Sequence, residues 1–226
     1  RADELGMVAI LGYYYFGQDE RVDDEAAVIR GVENATKWVL ERGFRNVIIE
    51  INNECNVRAY DHDILKPDRV HELVERAKAI QHAGRRLYVS TSYGGGTIPG
   101  EKVIAVSDYV LLHGNGVRDP KKMDQMVQTV RKMTAEHPKP IINNEDDRPW
   151  RDAHQGWGDD SNNFAACVKN YASWGFFDFR EQGEAFEEGY QSIPVDWKIG
   201  SERKKSFFGL LKRITEHSPS KDSSKK

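Results

Sequence analysis

Short apolar runs of β-forming residues alternate along most of this chain with longer segments of helical periodicity, and this alternation limits the fold more than any other feature. The runs are nearly continuous in apolar residues, which is typical of parallel strands covered by helices on both faces. The predicted strands are 7–12, 46–52, 87–91, 108–112, 140–144 and 175–179. Their regular alternation with helical segments indicates an α/β fold built on a parallel sheet.

The segments between these runs carry apolar residues at helical spacing, and their ends match helix boundary signals. Pro67 and Pro120 suit the first turn of a helix, and Gly43 and Gly84 suit the position after a helix end. The predicted helices are 24–43, 67–82, 120–136, 162–174 and 201–215. The helical pattern weakens between the third and fourth strands, so residues 94–105 are expected to form a loop with at most a short helix.

Two closures of such a sheet compete, an open doubly wound sheet and an eight-stranded (β/α) barrel. Neither the G-x-G-x-x-G nor the G-x-x-x-x-G-K-[ST] phosphate loop occurs in the sequence. Gly94-Gly95-Gly96 follows a strand but precedes a poor helix start, so a flexible loop is expected there. No change of composition marks a second domain; residues 1–215 are assigned to one domain, and the polar residues 216–226 to a disordered tail.

Composition excludes several classes of partner. A net charge of −3 and a pI near 6.2 predict no attraction to nucleic acid or to an anionic membrane. The apolar runs are far shorter than the roughly 20 residues of a transmembrane helix. Cys55 and Cys167 form no CxxC motif and have no clustered histidines, which leaves either two buried thiols or one disulfide.

Two segments place polar residues at the C-terminal ends of predicted strands, VIIEINNECN (47–56) and PIINNEDD (140–147). Both contain Asn-Asn-Glu. A barrel carries its active site at that end of its strands, so Glu54 and Glu145 are candidate catalytic residues. The alternative is that each Asn-Glu pair only caps a loop.

A pair of carboxylates at strand ends is what glycosidic bond cleavage needs. One carboxylic acid protonates the departing oxygen, and a second carboxylate meets the oxocarbenium-like carbon. If the two carboxyl groups lie about 5–5.5 Å apart, the second attacks directly and the configuration of the sugar is retained. One group must therefore be protonated and the other ionised at the same pH.

This pattern resembles the clan A glycoside hydrolases, most of all glycoside hydrolase family 5 and its cellulase-like relatives. In that clan the acid/base Glu follows an Asn at the end of barrel strand four, and the nucleophile Glu ends strand seven. Here Asn53-Glu54 ends the second predicted strand and Asn144-Glu145 ends the fifth, also three units later. The resemblance implies a TIM-type barrel and a retaining glycosidase with Glu54 as acid/base and Glu145 as nucleophile.

The same resemblance implies an oligo- or polysaccharide substrate with β-linkages and neither a metal nor an organic cofactor. It also favours an extracytoplasmic or secreted protein. The family's binding positions point to Asn53, which would hydrogen-bond the 2-hydroxyl of the reacting sugar, and to His113, which would hold Glu145. A capping or core-edge role is the alternative for His113.

Further candidates for substrate binding are aromatic or polar residues on loops. Tyr13, Tyr15 and Gln18 follow the first strand and would line the cleft, although tyrosines there also suit packing. Trp150 and Trp157 lie in the polar loop after Glu145, where indole faces would stack on pyranose rings. The aspartates of that loop match no EF-hand spacing, so a solvated loop is favoured over a calcium site.

Matching the strands to the family makes 7–12 barrel strand three and 175–179 strand eight. The resemblance therefore implies that the first two β/α units are absent from this chain. Residues 1–6 lack an initiator Met and resemble the end of a helix entering a strand, so further residues upstream are expected. Six strands cannot close an eight-stranded cylinder, which predicts open edges with exposed apolar surface and allows a homo-oligomer through them.

Two departures from the family pattern keep other functions open. Cys55 stands where the family has a Pro after the acid, and the last predicted strand does not end in the family's Trp. A non-catalytic carbohydrate-binding or repurposed barrel is the first alternative, and it would release no chromophore from an aryl β-glycoside. A barrel enzyme that uses Glu, Asp and His around a metal is the second, and a chelator would inactivate it.

Overall fold

The structure is a computed structural model that describes residues 1–146 and 162–177, with 205, 207–209 and 211–212. Its strands are β1 (Ala9–Tyr14), β2 (Val47–Asn52), β3 (Val89–Ser90), β4 (Val110–His113), β5 (Ile141–Glu145) and β6 (Ser173–Trp174). Its α-helices are α1 (Glu25–Glu41), α2 (Val70–Ala79), α3 (Glu101–Val106), α4 (Pro120–Met133) and α5 (Asn163–Lys169). Short 3-10 helices form at Asp3–Leu5, Asp19–Arg21 and Asp63–Leu65.

The first five predicted strands and the first three predicted helices are confirmed, as is the short helix before β4. In the sixth unit the predicted helix is present but ends at Lys169, and the predicted strand position was wrong, because the strand is Ser173–Trp174. The cause is a left-handed turn at Tyr171, where φ is 56°. Most of the predicted helix 201–215 and the whole of 216–226 lie outside the described residues.

Local signals explain where the long helices begin. The Asp24 carboxylate accepts a hydrogen bond from the Ala27 amide at 2.6 Å and caps α1. Asp119 does the same for the Lys121 amide at 2.9 Å, directly before Pro120 opens α4. Both helices therefore start with a satisfied backbone donor.

The strands are parallel and follow the order of the chain, as β1-β2-β3 in one sheet and β4-β5-β6 in a second. A doubly wound sheet reverses its strand order at a switch point, whereas a barrel adds each strand beside the one before it. These alternating β/α units resemble part of a TIM barrel. Within the part of the chain that the structure describes, no ladder joins β3 to β4 or β6 to β1, so the barrel is not closed.

Single hydrogen bonds connect the two sheets near β3 and β4. The Asp108 amide donates to the Val89 carbonyl at 3.0 Å, and the Gly96 amide donates to the His113 carbonyl at 2.8 Å. The Gly94 amide also donates to Asn56 Oδ1 at 2.6 Å. The glycine loop was predicted to be flexible, but these bonds tie it to the strand ends on both sides.

Each sheet is covered by its own hydrophobic cluster. One cluster joins β2 to α1 and α2, and Ile49, Ile51 and Leu73 in it are fully buried. The other joins β4 and β5 to α4 and α5, and it contains Met123 and Met126 of α4, whereas Met133 at the end of that helix is exposed. Two of the three methionines of α4 therefore belong to the core. Both cysteines are free and buried, so the structure has two thiols and no disulfide.

The outer edge of β1 has no strand partner among the described residues, as an open barrel edge requires. Apolar side chains near it are exposed, with Met7 at 56% and Val8 at 61% of full accessibility. No helix in the described ranges is long and apolar enough to span a membrane.

A glycine substitution tests the close approach of the loops after β3 and β4. A Cβ on Gly95 would lie 2.1 Å from the Asn115 backbone oxygen, so Gly95→Ala forces one loop to move. We expect the free energy of unfolding in urea to fall by about 1–3 kcal/mol. Gly12→Ala is the matched control, because a Cβ there meets nothing within 4 Å. Equal unfolding midpoints for the two variants would contradict the close approach.

Candidate active site

Three polar side chains meet at the C-terminal ends of β2, β4 and β5. Glu54 lies two residues beyond β2, His113 is the last residue of β4, and Glu145 is the last residue of β5. His113 and Glu145 are register partners across the two strands. One carboxylate oxygen of each glutamate and one ring nitrogen of His113 lie within 4.8 Å of one another. The parallel order of the strands thus brings together residues 91 positions apart in sequence, from 54 to 145.

The backbone of Glu54 adopts an unusual conformation. Its φ is 50°, in the left-handed region that a residue with a Cβ enters at a cost of about 1–3 kcal/mol. Ser92, which follows β3, holds this turn twice. Its Oγ accepts from the Glu54 amide at 2.8 Å, and its carbonyl accepts from the Cys55 amide at 2.9 Å. Strained backbone held by its surroundings is typical of functional sites.

His113 is fully buried between the two carboxylates. Its Nδ1 lies 2.9 Å from Glu54 Oε1 and 3.5 Å from Glu145 Oε2. Burial by itself would lower the pKa of His113, but the hydrogen bond with Glu54 and the negative charges of Glu145 and Glu50 raise it overall. The sequence predicted that His113 holds Glu145. In the structure the hydrogen bond of His113 is with Glu54, and Glu145 lies within ion-pair distance of the same nitrogen.

Asn115 is the residue that holds Glu145. Its Nδ2 donates to Glu145 Oε2 at 2.8 Å. The Gly114 amide donates to the Glu145 carbonyl at 2.6 Å, and a Cβ on Gly114 would lie 2.6 Å from Asp146 Oδ2. Sequence reasoning missed Asn115. The signal was present in His113-Gly-Asn115, a third cluster of polar residues at the end of an apolar strand.

Sequence reasoning also missed Glu50, a carboxyl group inside β2 with 6% of its surface exposed. Burial raises its pKa, a hydrogen bond with Ser92 and the charge of His113 oppose the rise, and the charges of Glu145 and Glu54 add to it. The resulting pKa is about 7. A lone acid within a buried strand, VIIEIN, was the available signal, because Glu is rarely buried without a partner.

Tyr13, Tyr15 and Gln18 were predicted to follow the first strand, but β1 runs to Tyr14 and contains Tyr13. The Tyr13 hydroxyl hydrogen-bonds Thr36 Oγ1 of α1 at 3.0 Å, which is a packing contact. Tyr15 is exposed at 49% and stacks on Phe16 with ring centroids 4.2 Å apart. Gln18 is exposed directly before a 3-10 helix.

Asn53 is anchored through its backbone. Its amide donates to the Tyr14 carbonyl at 3.0 Å, and its carbonyl accepts from the Tyr60 hydroxyl at 2.5 Å. Its side chain is half-buried and makes no hydrogen bond within the described ranges. Trp150 and Trp157 lie outside the described residues.

The separation of the two glutamates determines what the site can do. One carboxylate oxygen of Glu54 and one of Glu145 lie within 4.8 Å of each other, which is compatible with the close pair of a retaining enzyme, whose carboxyl groups lie about 5–5.5 Å apart. Direct attack by one carboxylate is the chemistry that such a spacing allows. The same three groups supply one imidazole nitrogen and two carboxylate oxygens, a donor set that suits a divalent transition metal.

Comparison with known proteins supports the fold. No model of a known protein family matches the chain, and no curated protein matches it. Among solved structures it is similar to the hyperthermostable endo-1,4-β-D-mannanase from Thermotoga petrophila, solved with maltose and glycerol. The TM-score is 0.56 at 13% sequence identity, and the match covers 94% of this chain and 77% of the mannanase chain. At this identity the likeness shows the fold alone.

The fold and the comparison together define the class of structure: alternating parallel β/α units that resemble part of a TIM barrel. The particular likeness is to the barrel of a glycoside hydrolase, the mannanase named above.

The burial of Glu50 predicts how the free energy of unfolding changes with pH. Its pKa is about 7 in the folded chain against 4.5 for an ordinary Glu, so between these values the unfolded chain is ionised while the folded chain keeps the proton. Because the unfolded state then binds fewer protons, the contribution of Glu50 makes the free energy of unfolding fall as pH rises, by up to about 3 kcal/mol. Glu50→Gln should remove this loss.

The measurement is urea unfolding at about pH 4 and about pH 8. Relative to wild type, Glu50→Gln should gain stability at the higher pH, and Glu41→Gln at an exposed position should follow the wild-type curve. Parallel pH profiles for wild type and Glu50→Gln would rule out a raised pKa at Glu50.

Proposed function

We propose that this protein is a retaining glycoside hydrolase that cleaves O-glycosidic bonds of a β-linked glycan or glycoside. The observation that carries the proposal is the short separation of Glu54 and Glu145, within 4.8 Å, at the ends of strands three units apart. A pair at this spacing suits double displacement. The likeness of the fold to a mannanase barrel supports the same reaction class.

Glu145 is proposed as the nucleophile. In the first step its carboxylate attacks the anomeric carbon and forms a covalent glycosyl-enzyme while the leaving oxygen departs. The Asn115 amide donates to Oε2, which orients the carboxylate and balances part of its charge. Glu145 also ends a strand whose backbone is bonded to Gly114, so its position is tightly held.

Glu54 is proposed as the acid/base. It protonates the leaving oxygen in the first step and removes a proton from the attacking water in the second. Its neighbour His113 forms a hydrogen bond with Glu54 Oε1 at 2.9 Å, and this bond together with the nearby negative charges raises the pKa of His113 although burial opposes the rise. The hydrogen bond therefore orients the carboxyl group that each step needs.

The proposed substrate is an oligo- or polysaccharide with β-linkages. Because the fold resembles an endo-1,4-β-D-mannanase, β-1,4-linked mannan is the first polysaccharide to test. Asn53 directly precedes Glu54, and its side-chain amide makes no hydrogen bond to the described residues; it is proposed to bind the 2-hydroxyl of the reacting sugar. Tyr15 and Gln18 are proposed to contact more distant sugars.

A metal-dependent barrel enzyme is the second candidate. The specific observation in its favour is that Glu54, His113 and Glu145 present three donor atoms within 4.8 Å. Dialysis against a chelator distinguishes the two, because the proposed glycosidase needs no metal. Turnover that is lost with chelator and restored by Zn²⁺ or Mn²⁺ would favour the second candidate.

Azide rescue tests the roles of the two glutamates on an activated aryl β-glycoside. Glu145→Ala should lose all turnover, because no other group forms the covalent intermediate. Glu54→Ala should be milder in the first step, since a good leaving group needs little protonation, but slow in the second. Azide needs no base, so it should restore Glu54→Ala and yield a β-glycosyl azide, whereas Glu145→Ala should yield the α-azide.

Glu41→Ala, which removes an exposed carboxylate at the end of α1, is the control and should match wild type. Reversed azide products would mean that the two roles are exchanged. Wild-type protein that binds glycan but releases no chromophore would favour a non-catalytic binding barrel. Unchanged turnover in both glutamate variants would locate the active site elsewhere.

A further inference from the structure

We infer that Asp146 is a positioning residue for the proposed nucleophile. Its buried carboxylate supports the turn of residues 114–117, and this turn carries the Asn115 amide that binds Glu145. The inference rests on the proposed function, because it concerns how the nucleophile of the same site is held. Asp146 directly follows Glu145 in sequence but has no exposed surface, so it is not a catalytic residue in its own right.

The Asp146 carboxylate meets three elements at the C-terminal end of the second sheet. The indole of Trp174, at the end of β6, donates to Oδ2 at 2.9 Å. The side-chain amide of Asn163, at the start of α5, donates to Oδ1 at 3.4 Å. Oδ2 would also lie 2.6 Å from a Cβ on Gly114, so the carboxylate fills the space beside that glycine. Donors on both oxygens and one close packing contact therefore fix the carboxylate.

The turn of residues 114–117 is in contact with this carboxylate at both ends. The Val117 amide closes the turn by donating to the Gly114 carbonyl at 2.8 Å. Gly114, at the start, packs against Asp146 Oδ2. At the end, Asn163 Nδ2 donates to the Val117 carbonyl at 2.9 Å as well as to Asp146 Oδ1. One amide group thus joins the end of the turn to the carboxylate.

Asn115 lies inside this turn, so the position of the turn determines whether its side chain reaches the nucleophile. Its Nδ2 donates to Glu145 Oε2 at 2.8 Å, and a displacement of about 1 Å would break that hydrogen bond. On another side the turn meets Gly95, where a Cβ would lie 2.1 Å from the Asn115 backbone oxygen. The turn is therefore supported by Gly95 and by Asp146, and loss of the Asp146 carboxylate removes one of these supports.

The alternative is that Asp146 only accepts from the Trp174 indole and stabilises the fold. Burial of a carboxylate is costly unless donors surround it, and a neutral acceptor would satisfy the indole without that cost. The two roles differ in one testable respect. A positioning role acts through Asn115, so its effect on turnover should vanish once the Asn115 amide is removed.

Five variants separate these roles by kinetics on an aryl β-glycoside. Asp146→Ala removes the carboxylate, Asp146→Asn keeps its volume and an acceptor for the indole, and Asn115→Ala removes the amide that the turn carries. Asn163→Ala breaks the connection from its other end and carries the test if Asp146→Ala does not fold. Asp124→Ala is the matched control, since it removes a carboxylate that binds Asn170 at the other end of α5. Urea unfolding verifies that each variant is folded.

The expected result is a fall in kcat of about 100-fold for Asp146→Ala with KM nearly unchanged, since misplacement of about 1 Å costs that much. The double variant with Asn115→Ala should lose no more than either single variant. Asp146→Asn and Asp124→Ala should keep most of the wild-type kcat. Azide should not accelerate Asp146→Ala, because the proposed base Glu54 is intact. Wild-type kcat in Asp146→Ala, or additive losses in the double variant, would overturn the inference.

Crystal structures of Asp146→Ala and Asn163→Ala give a readout independent of turnover. We expect the turn of residues 114–117 to shift and the distance from Asn115 Nδ2 to Glu145 Oε2, which is 2.8 Å in the native chain, to exceed about 3.5 Å. If wild type has no glycosidase activity, the proposed function fails but this distance still decides the role of Asp146. An unchanged distance in both structures would overturn the inference whatever the activity.

Discussion

The site depends on one buried imidazole surrounded by acids. His113 is fully buried, and Glu54, Glu145 and Glu50 all act electrostatically on it. A buried charge is costly unless it is paired, and three carboxyls without a cation between them would repel one another. Protonation of His113 and of Glu50 lowers the net negative charge of the cluster. The protonation of these groups and the close approach of the three strand ends therefore depend on each other.

Much of the fold could be predicted from periodicity, because continuous apolar strands and amphipathic helices have different spacings. Five of the six strands and the order of the β/α units follow from that signal. The boundaries of the last helix and strand were predicted wrongly, because the left-handed residue after α5 is Tyr171 and not the Gly or Pro that usually signals a helix end. The pairing of strands into two separate sheets depends on non-local contacts that periodicity does not encode.

The candidate site was predictable where polar residues end apolar strands. Glu54, His113 and Glu145 meet as that rule implies, because parallel strands end at a common edge. The position of polar residues at strand ends does not predict which side chains hydrogen-bond one another. His113 Nδ1 lies 2.9 Å from Glu54 Oε1 and 3.5 Å from Glu145 Oε2, so its hydrogen bond is with Glu54. The Tyr13 side chain lies against α1, where its hydroxyl hydrogen-bonds Thr36 Oγ1. The role of Glu50 in the site was not predicted, because the residue lies inside an apolar strand and not at its end.

The division into two three-stranded sheets has a consequence for how the protein acquires its site during folding. Glu54 belongs to the first sheet, and His113 and Glu145 belong to the second. Each sheet has its own hydrophobic cluster and contacts close in sequence, which favours early formation of each as a unit. The hydrogen bond of His113 with Glu54 then requires the two units to dock. We therefore expect this hydrogen bond to form late in folding, so that a property that depends on it reports on docking and not on the formation of either half.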